Sequence, residues 1–203
     1  MKPSDAPGPV FFFSGLVPWM FFSSTINAAI PSLVNNYDLV KKIYFPRVFL
    51  PFSCLAISIT DFVLSLLFLI GLLFCFQIQL TWAAFWVVPL FLILILFTIS
   101  VALVFSALNV YYRDVGLASA FLIQLLFFAS PIFYSIDKVP LGLKLILFLN
   151  PLTFIIENMR RCLIEGRPTV WWQYLIMLGF VTVSVILNYQ FFRRTERKFA
   201  DVI

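Results

Sequence analysis

Apolar residues run through this chain in long blocks separated by short polar segments, and five of the blocks are too long to be strands. They predict membrane-spanning helices over about Val10 to Leu33, Val48 to Phe76, Ala83 to Val110, Val115 to Ile132 and Trp171 to Phe192. The first carries Pro18 and Pro31, so kinks are expected in it. The second holds one charge, Asp61, the third has none, and the fourth contains Gln124 and ends near Pro131. The second and third exceed the ~20 residues that cross ~30 Å of hydrocarbon, which calls for tilt or protrusion. The fifth is flanked by Trp171 and Trp172 at one end and by Arg193 and Arg194 at the other, both of them interface anchors.

Two segments follow a different pattern. From Tyr134 to Pro168 short apolar pieces alternate with Asp137, Lys138, Lys144, Glu157, Arg160, Arg161, Glu165 and Arg167, and no piece is long enough to cross. Its best helix is Thr153 to Ile164, where Ile155, Ile156, Met159, Cys162 and Leu163 share one face and Glu157, Asn158, Arg160 and Arg161 the other. Such a helix is expected to lie in the interface. In "DLVKKIYFPR", helical spacing separates Leu39, Val40, Ile43 and Tyr44 from Asp38, Lys41 and Lys42, and Pro46 ends the turn. This short amphipathic helix fits a loop anchored to headgroups and equally a knob inserted into a soluble protein; periodicity does not separate the two.

Composition sets the class. Of 203 residues 63% are hydrophobic and 11% charged, with 26 Phe, and the mean hydropathy is +1.04. The expectation is an all-α polytopic membrane protein, a single domain over residues 1–203 with five transmembrane helices plus interfacial helices; barrel strands are shorter and alternate polar with apolar. The net charge of +5 sits in the segments between apolar runs, which points to orientation and headgroup contact and away from nucleic acid. Lys41, Lys42 and Arg47 precede the second span, Arg113 follows the third, and Arg193, Arg194, Arg197 and Lys198 follow the fifth. With alternating spans these places share one side, which is then cytoplasmic, and the amino end lies outside. The link "QIQLTW" has no basic residue, as an outer loop should. The opening "MKPSDAPGPV" resembles neither a signal peptide nor a transit sequence.

Candidate chemistry is sparse. His is absent and Cys54, Cys75 and Cys162 are isolated, so no zinc cluster or CxxC pair is built. No GxxxxGK[ST] stretch occurs, so ATP hydrolysis belongs to another polypeptide. Arg113 and Asp114 mark a tight cytoplasmic turn, the cation at a helix carboxyl end and the carboxylate as N-cap of the next helix. Asp61 is the carboxylate well inside a span, where a charge faces protein, water or a partner group; structural contact, substrate contact and proton chemistry all stay open. Aromatic side chains are abundant, and Trp19, Phe22, Phe128 and Tyr134, with Asp61, are the candidate conduit residues.

Several stretches, in order, carry a resemblance: "GLVPWMFFSSTINAAIPSLVNN", "LVKKIYFPRVFLP", "SALNVYYRDV", "ASPIFYS", "LNPLTFIIENMRRCLIEG" and "RRTERKFADVI". Together they resemble the membrane subunit of ABC-2 type transporters, specifically permeases that export lipid-linked polysaccharide such as O-antigen, capsule or teichoic acid. The resemblance implies a non-enzymatic permease in the cytoplasmic membrane of a bacterium, with its carboxyl end cytoplasmic and no cofactor of its own. It further implies a homodimer of two permease copies with two cytoplasmic ABC ATPase subunits that bind ATP, among membrane lipids, on a lipid-linked glycan. Asp38, Leu39, Val40, Lys41, Lys42, Ile43 and Tyr44 stand where the family's ATPase-coupling helix lies, and 135–166 where its external gate helices lie. The family has six spans behind an amphipathic helix, and this chain lacks that helix and the first span, as a truncated product would. The competing readings are an ABC-2 exporter of drugs or small lipids, a truncated membrane subunit that does not transport, and a transferase acting on polyprenyl-linked sugars, for which the acids are too scattered.

Overall fold

The computed structural model describes residues 6–36, 46–136, 139–140, 142, 144, 147, 150–196 and 199. Its elements are α1 (Gly8–Ala29), α2 (Ser32–Asn35), α3 (Phe49–Cys75), α4 (Val87–Tyr111), α5 (Asp114–Ala129), α6 (Pro151–Arg160) and α7 (Trp171–Glu196). A short 3-10 helix, Trp82–Trp86, leads into α4, and a π-helical turn, Arg161–Glu165, continues α6. No strand occurs among the described residues. The molecule is an all-α polytopic membrane protein: four helices, Gly8–Ala29, Phe49–Cys75, Trp82–Tyr111 and Trp171–Glu196, are long and apolar enough to cross a bilayer.

Local chemistry sets the boundaries. α1 begins with Pro9 in its first turn, where no backbone donor is needed, and α3 begins likewise with Pro51. α3 stops in a two-bond carboxyl cap: Ile78 donates to the Leu73 carbonyl at 2.9 Å and Gln77 to that of Phe74 at 3.0 Å. Gln77 takes the left-handed conformation this cap requires, at φ 56°. α5 ends at Ala129 and not at Ile132, because Ser130 is extended ahead of Pro131, as the pyrrolidine ring demands. Its 16 residues make it shorter than the other apolar helices.

The most extensive pairings are α4 with α7 and α1 with α3, and α6 packs on both α1 and α4. Between α4 and α7 the Ser100 and Ser184 hydroxyls meet at 2.7 Å, and Asn188 Nδ2 donates to Ser100 Oγ at 2.6 Å. Small polar groups of this kind bond helices whose apolar flanks gain nothing by leaving lipid. The outward faces of α3 and α7 are apolar, with Ile57, Leu64, Leu67 and Ile176 exposed.

The largest departure from expectation is α6. It starts at Pro151, with Asn150 Oδ1 accepting from the Leu152 amide at 3.0 Å and the proline at the first helical position. Every residue from Pro151 to Arg160 is buried, including Glu157, Asn158 and Arg160 of the polar face. Only Arg161 of that polar set is substantially exposed, its side chain at 41%. The reason is that these polar groups find partners inside the protein in place of solvent: Arg160 meets backbone carbonyls of other segments, Asn158 Nδ2 donates to the Phe154 carbonyl at 2.9 Å, and Glu157 lies 3.6 Å from Arg160.

Candidate functional site

The bundle has two distinct ends. At one, the start of α1, the turn after α5, the link from α3 to α4, and α6 come together. Arg160 binds Phe11 and Pro131 there, and a side-chain carbon on Gly166 would lie 2.8 Å from the Thr81 hydroxyl. At the other end, Asn109 Nδ2 donates to the Ile30 carbonyl at 3.2 Å, and the Tyr111 hydroxyl to that of Thr195 at 3.1 Å. The Arg47 amide donates to Glu196 Oε1 at 3.2 Å there, and its guanidinium donates to the Glu196 carbonyl. Arg47 also lies 6.0 Å over the Phe199 ring, which packs against Tyr111 and Phe192. The chain that enters α3 is thereby tied to the last turns of α4 and α7.

Arg113 and Asp114 sit at this second end, both exposed. α4 closes at Tyr111, and Val115 donates to the Tyr112 carbonyl at 3.0 Å, which makes the tight turn. The capping assignment needs correction: Arg113 occupies the N-cap position, Asp114 is the first residue of α5, and no side-chain cap hydrogen bond forms. The carboxylate still meets the positive end of the helix, an interaction that needs no direct bond. The coupling candidates Asp38, Leu39, Val40, Lys41, Lys42, Ile43 and Tyr44 lie outside the described residues.

Asp61 faces a groove between α1 and α3 lined by Val17, Met20, Phe21, Ser24, Phe62, Leu64 and Ser65, with a cavity of about 290 Å³. Ser24 Oγ donates across to Ser58 Oγ at 3.2 Å just beside it. Asp61 itself is exposed. The groove therefore combines an apolar wall with one carboxylate and several hydroxyls.

Three of the other conduit candidates, Trp19, Phe22 and Phe128, belong to an aromatic row. Phe22 stacks on Phe97 of α4 at 5.6 Å, and Trp19 lies 5.8 Å from Phe22 and 5.3 Å from Phe127 of α5. Phe127 then meets Phe128 at 5.6 Å and Phe133 at 5.0 Å. Trp19 and Phe22 are buried, at 5% and 1% exposure, and act within the chain as packing; Phe128 is open at 63%. Tyr134 is partly buried, donates to the Ala129 carbonyl at 3.1 Å, and has its phenol pushed up by desolvation. The structure thus joins Trp19, Phe22 and Phe128 and leaves Asp61 on another face.

Periodicity missed the most connected side chain, Arg160. Its Nη1 donates to the Pro131 carbonyl at 3.0 Å, Nη2 to those of Phe11 and Ile132 at 3.3 Å each, and Nε to Ser14 Oγ at 3.3 Å. Its guanidinium carbon lies 3.8 Å over the Phe11 ring, and Glu157 is 3.6 Å away on the same helix. Burial pushes its pKa down to about 10, with Glu157 opposing, so it stays charged near neutrality. Gly15 was a usable signal, since a side-chain carbon there would lie 2.8 Å from Arg160 Nη2. Among the described residues no cluster of His, Cys, Asp or Glu could hold a metal ion.

The chain is 29% identical over 198 residues to an O-antigen export system permease protein RfbA of Klebsiella pneumoniae, covering 96% of this chain and 75% of that protein. A Myxococcus xanthus protein of the same name is 28% identical over 200 residues, covering 96% and 76%. The Polysialic acid transport protein KpsM of Escherichia coli is 24% identical over 194 residues, covering 89% and 71%. The profile of the ABC-2 type transporter family matches residues 4–164, the stretch that holds α1 to α6 and the Arg160 contacts. With four crossing helices, a shorter apolar fifth and this match over most of its length, the chain belongs to the ABC-2 type transporter family.

Proposed function

We propose that this chain is the permease subunit of an ABC exporter that moves a lipid-linked polysaccharide across the cytoplasmic membrane, driven by a separate ATPase subunit. The observation that carries the reading is its alignment, over 96% of its length, with permeases named for O-antigen export. In this reading two copies assemble with two ATPases, ATP is bound by those partners, and the carboxyl end is cytoplasmic. Lys41, Lys42, Arg47, Arg113, Arg193 and Arg194 then face the anionic inner leaflet. The Asp38 to Tyr44 segment receives the ATPase stroke. The Arg47 contacts with Glu196 and Phe199 support this, because they link the chain leaving that segment to α7. Phe128 and Tyr134 offer aromatic faces to sugar rings, with Trp19 and Phe22 holding the row from behind.

ATPase activity of the assembled complex tests the proposal. Undecaprenyl-linked glycan is expected to stimulate it and small amphiphiles to leave it unchanged. Stimulation by small amphiphiles alone rejects the glycan reading in favour of a drug or small-lipid exporter.

A further inference from the structure

Arg160 is fully buried, yet the acid beside it, Glu157, is on its own helix; its bonds to α1 and to the turn after α5 run to neutral oxygens and to the Phe11 ring. A guanidinium carries five donors in a rigid fork, which suits it to gather several carbonyls at once. Bonds to neutral carbonyls exchange against water at lower cost than a buried ion pair across two elements, where separation strands both charges. The space for the guanidinium is prepared in the facing helix, because any side chain at Gly15 meets it.

The carboxyl flank of Arg160 departs from regular α-helical geometry. The helix passes directly into the π-helical turn Arg161–Glu165, an irregularity frequent at functional sites. That turn ends at Gly166 with φ 67°, against Thr81. At its other end α6 is held by the Asn150 cap and by Asn150 Nδ2 donating to Ser130 Oγ at 3.3 Å. α6 is therefore a short rod tied at its amino end, with an irregular turn at its carboxyl end and one charged pin in its last turn.

From this geometry we infer that Arg160 is a positioning residue acting as a latch: it holds α6 across the start of α1 and the turn after α5, keeps that end of the bundle closed, and lets go during turnover. The turnover half of the inference rests on the exporter reading above; the closing half does not. Cys162, fully buried two residues beyond and bonded to Thr169 at 3.6 Å, is a built-in reporter. Its burial also pushes the thiol up and slows alkylation while the latch is shut.

The test uses the permease with its ATPase partner in nanodiscs, with Cys54 and Cys75 changed to Ser and Cys162 alkylated by a maleimide. Without nucleotide, Cys162 is expected to be protected when Arg160 is present. Arg160→Gln should raise labelling by about tenfold or more, since the open population scales exponentially with lost local stability. Arg160→Lys, which keeps the charge but not the fork, should fall between, and Arg167→Gln, at an exposed position, should change nothing. ATP with vanadate should raise labelling in the Arg160 protein and add little in Arg160→Gln, a nucleotide response that a purely structural arginine would not produce. Protection of Cys162 in Arg160→Gln, free labelling with Arg160 in place, or labelling of the Arg160 protein that ignores nucleotide each overturns the inference. If Arg160→Gln does not accumulate, Phe11→Leu and Gly15→Ala decide: both should expose Cys162, and protection in both overturns it. A complex that shows these responses but ignores lipid-linked glycan defeats the substrate reading alone.

Discussion

Gln77 occupies a position that chain geometry reserves for residues without a side-chain clash. Its φ of 56° lets the two amide bonds that cap α3 form, at a cost that glycine would not incur. Gln77→Gly is therefore expected to raise stability by roughly 1 kcal/mol, read as a higher unfolding midpoint in detergent. A lower midpoint would mean that the glutamine side chain contributes more than its backbone costs. Arg160 marks the limit of reading single residues from sequence. Spacing identified the polar side of its helix, but amphipathicity gives only the direction of the polar groups. Carbonyls of Phe11, Pro131 and Ile132, more than twenty positions away in the chain, replace the headgroups that the pattern suggested. Asp61 behaved otherwise: one charge in an apolar run announces a special surface, and it does line a groove.

Among elements, the long apolar runs were legible because a spanning helix needs little beyond length and an absence of charge. Their ends were less so. Ser130 gives no sign by itself that α5 stops at Ala129; the instruction comes from Pro131 behind it. Pairing of helices was illegible, since lipid-facing and protein-facing apolar residues look alike. The α4 to α7 contact turns on Ser100, Ser184 and Asn188, three polar residues scattered over two runs. Asn188→Leu is expected to cost about 1 kcal/mol, the usual size of an interhelical hydrogen bond in a membrane. Steric-trapping or denaturant unfolding in mixed micelles would measure it, and no loss would mean that packing alone holds the pair.

At the scale of the molecule, the two ends differ in what they gather. The end with Arg47, Arg113, Arg193 and Arg194 is basic, and the end with α6 is closed by backbone carbonyls around one guanidinium. With the basic end cytoplasmic, an impermeant maleimide on intact cells should label Cys75, exposed at the last turn of α3. A cysteine at position 113 should stay unlabelled until the cells are opened, and the reverse pattern would invert the proposed orientation. α5 has a consequence for the surrounding lipid. Its 16 residues rise about 24 Å, against a hydrocarbon thickness of ~30 Å. A helix this short is matched by thinning of the bilayer beside it, by flanking side chains that reach the interface or by assembly, and each ångström of mismatch costs a fraction of a kcal/mol. Reconstituted in phosphatidylcholines of increasing chain length, the transporter should run fastest in the thinner sheets and slow as the leaflets thicken.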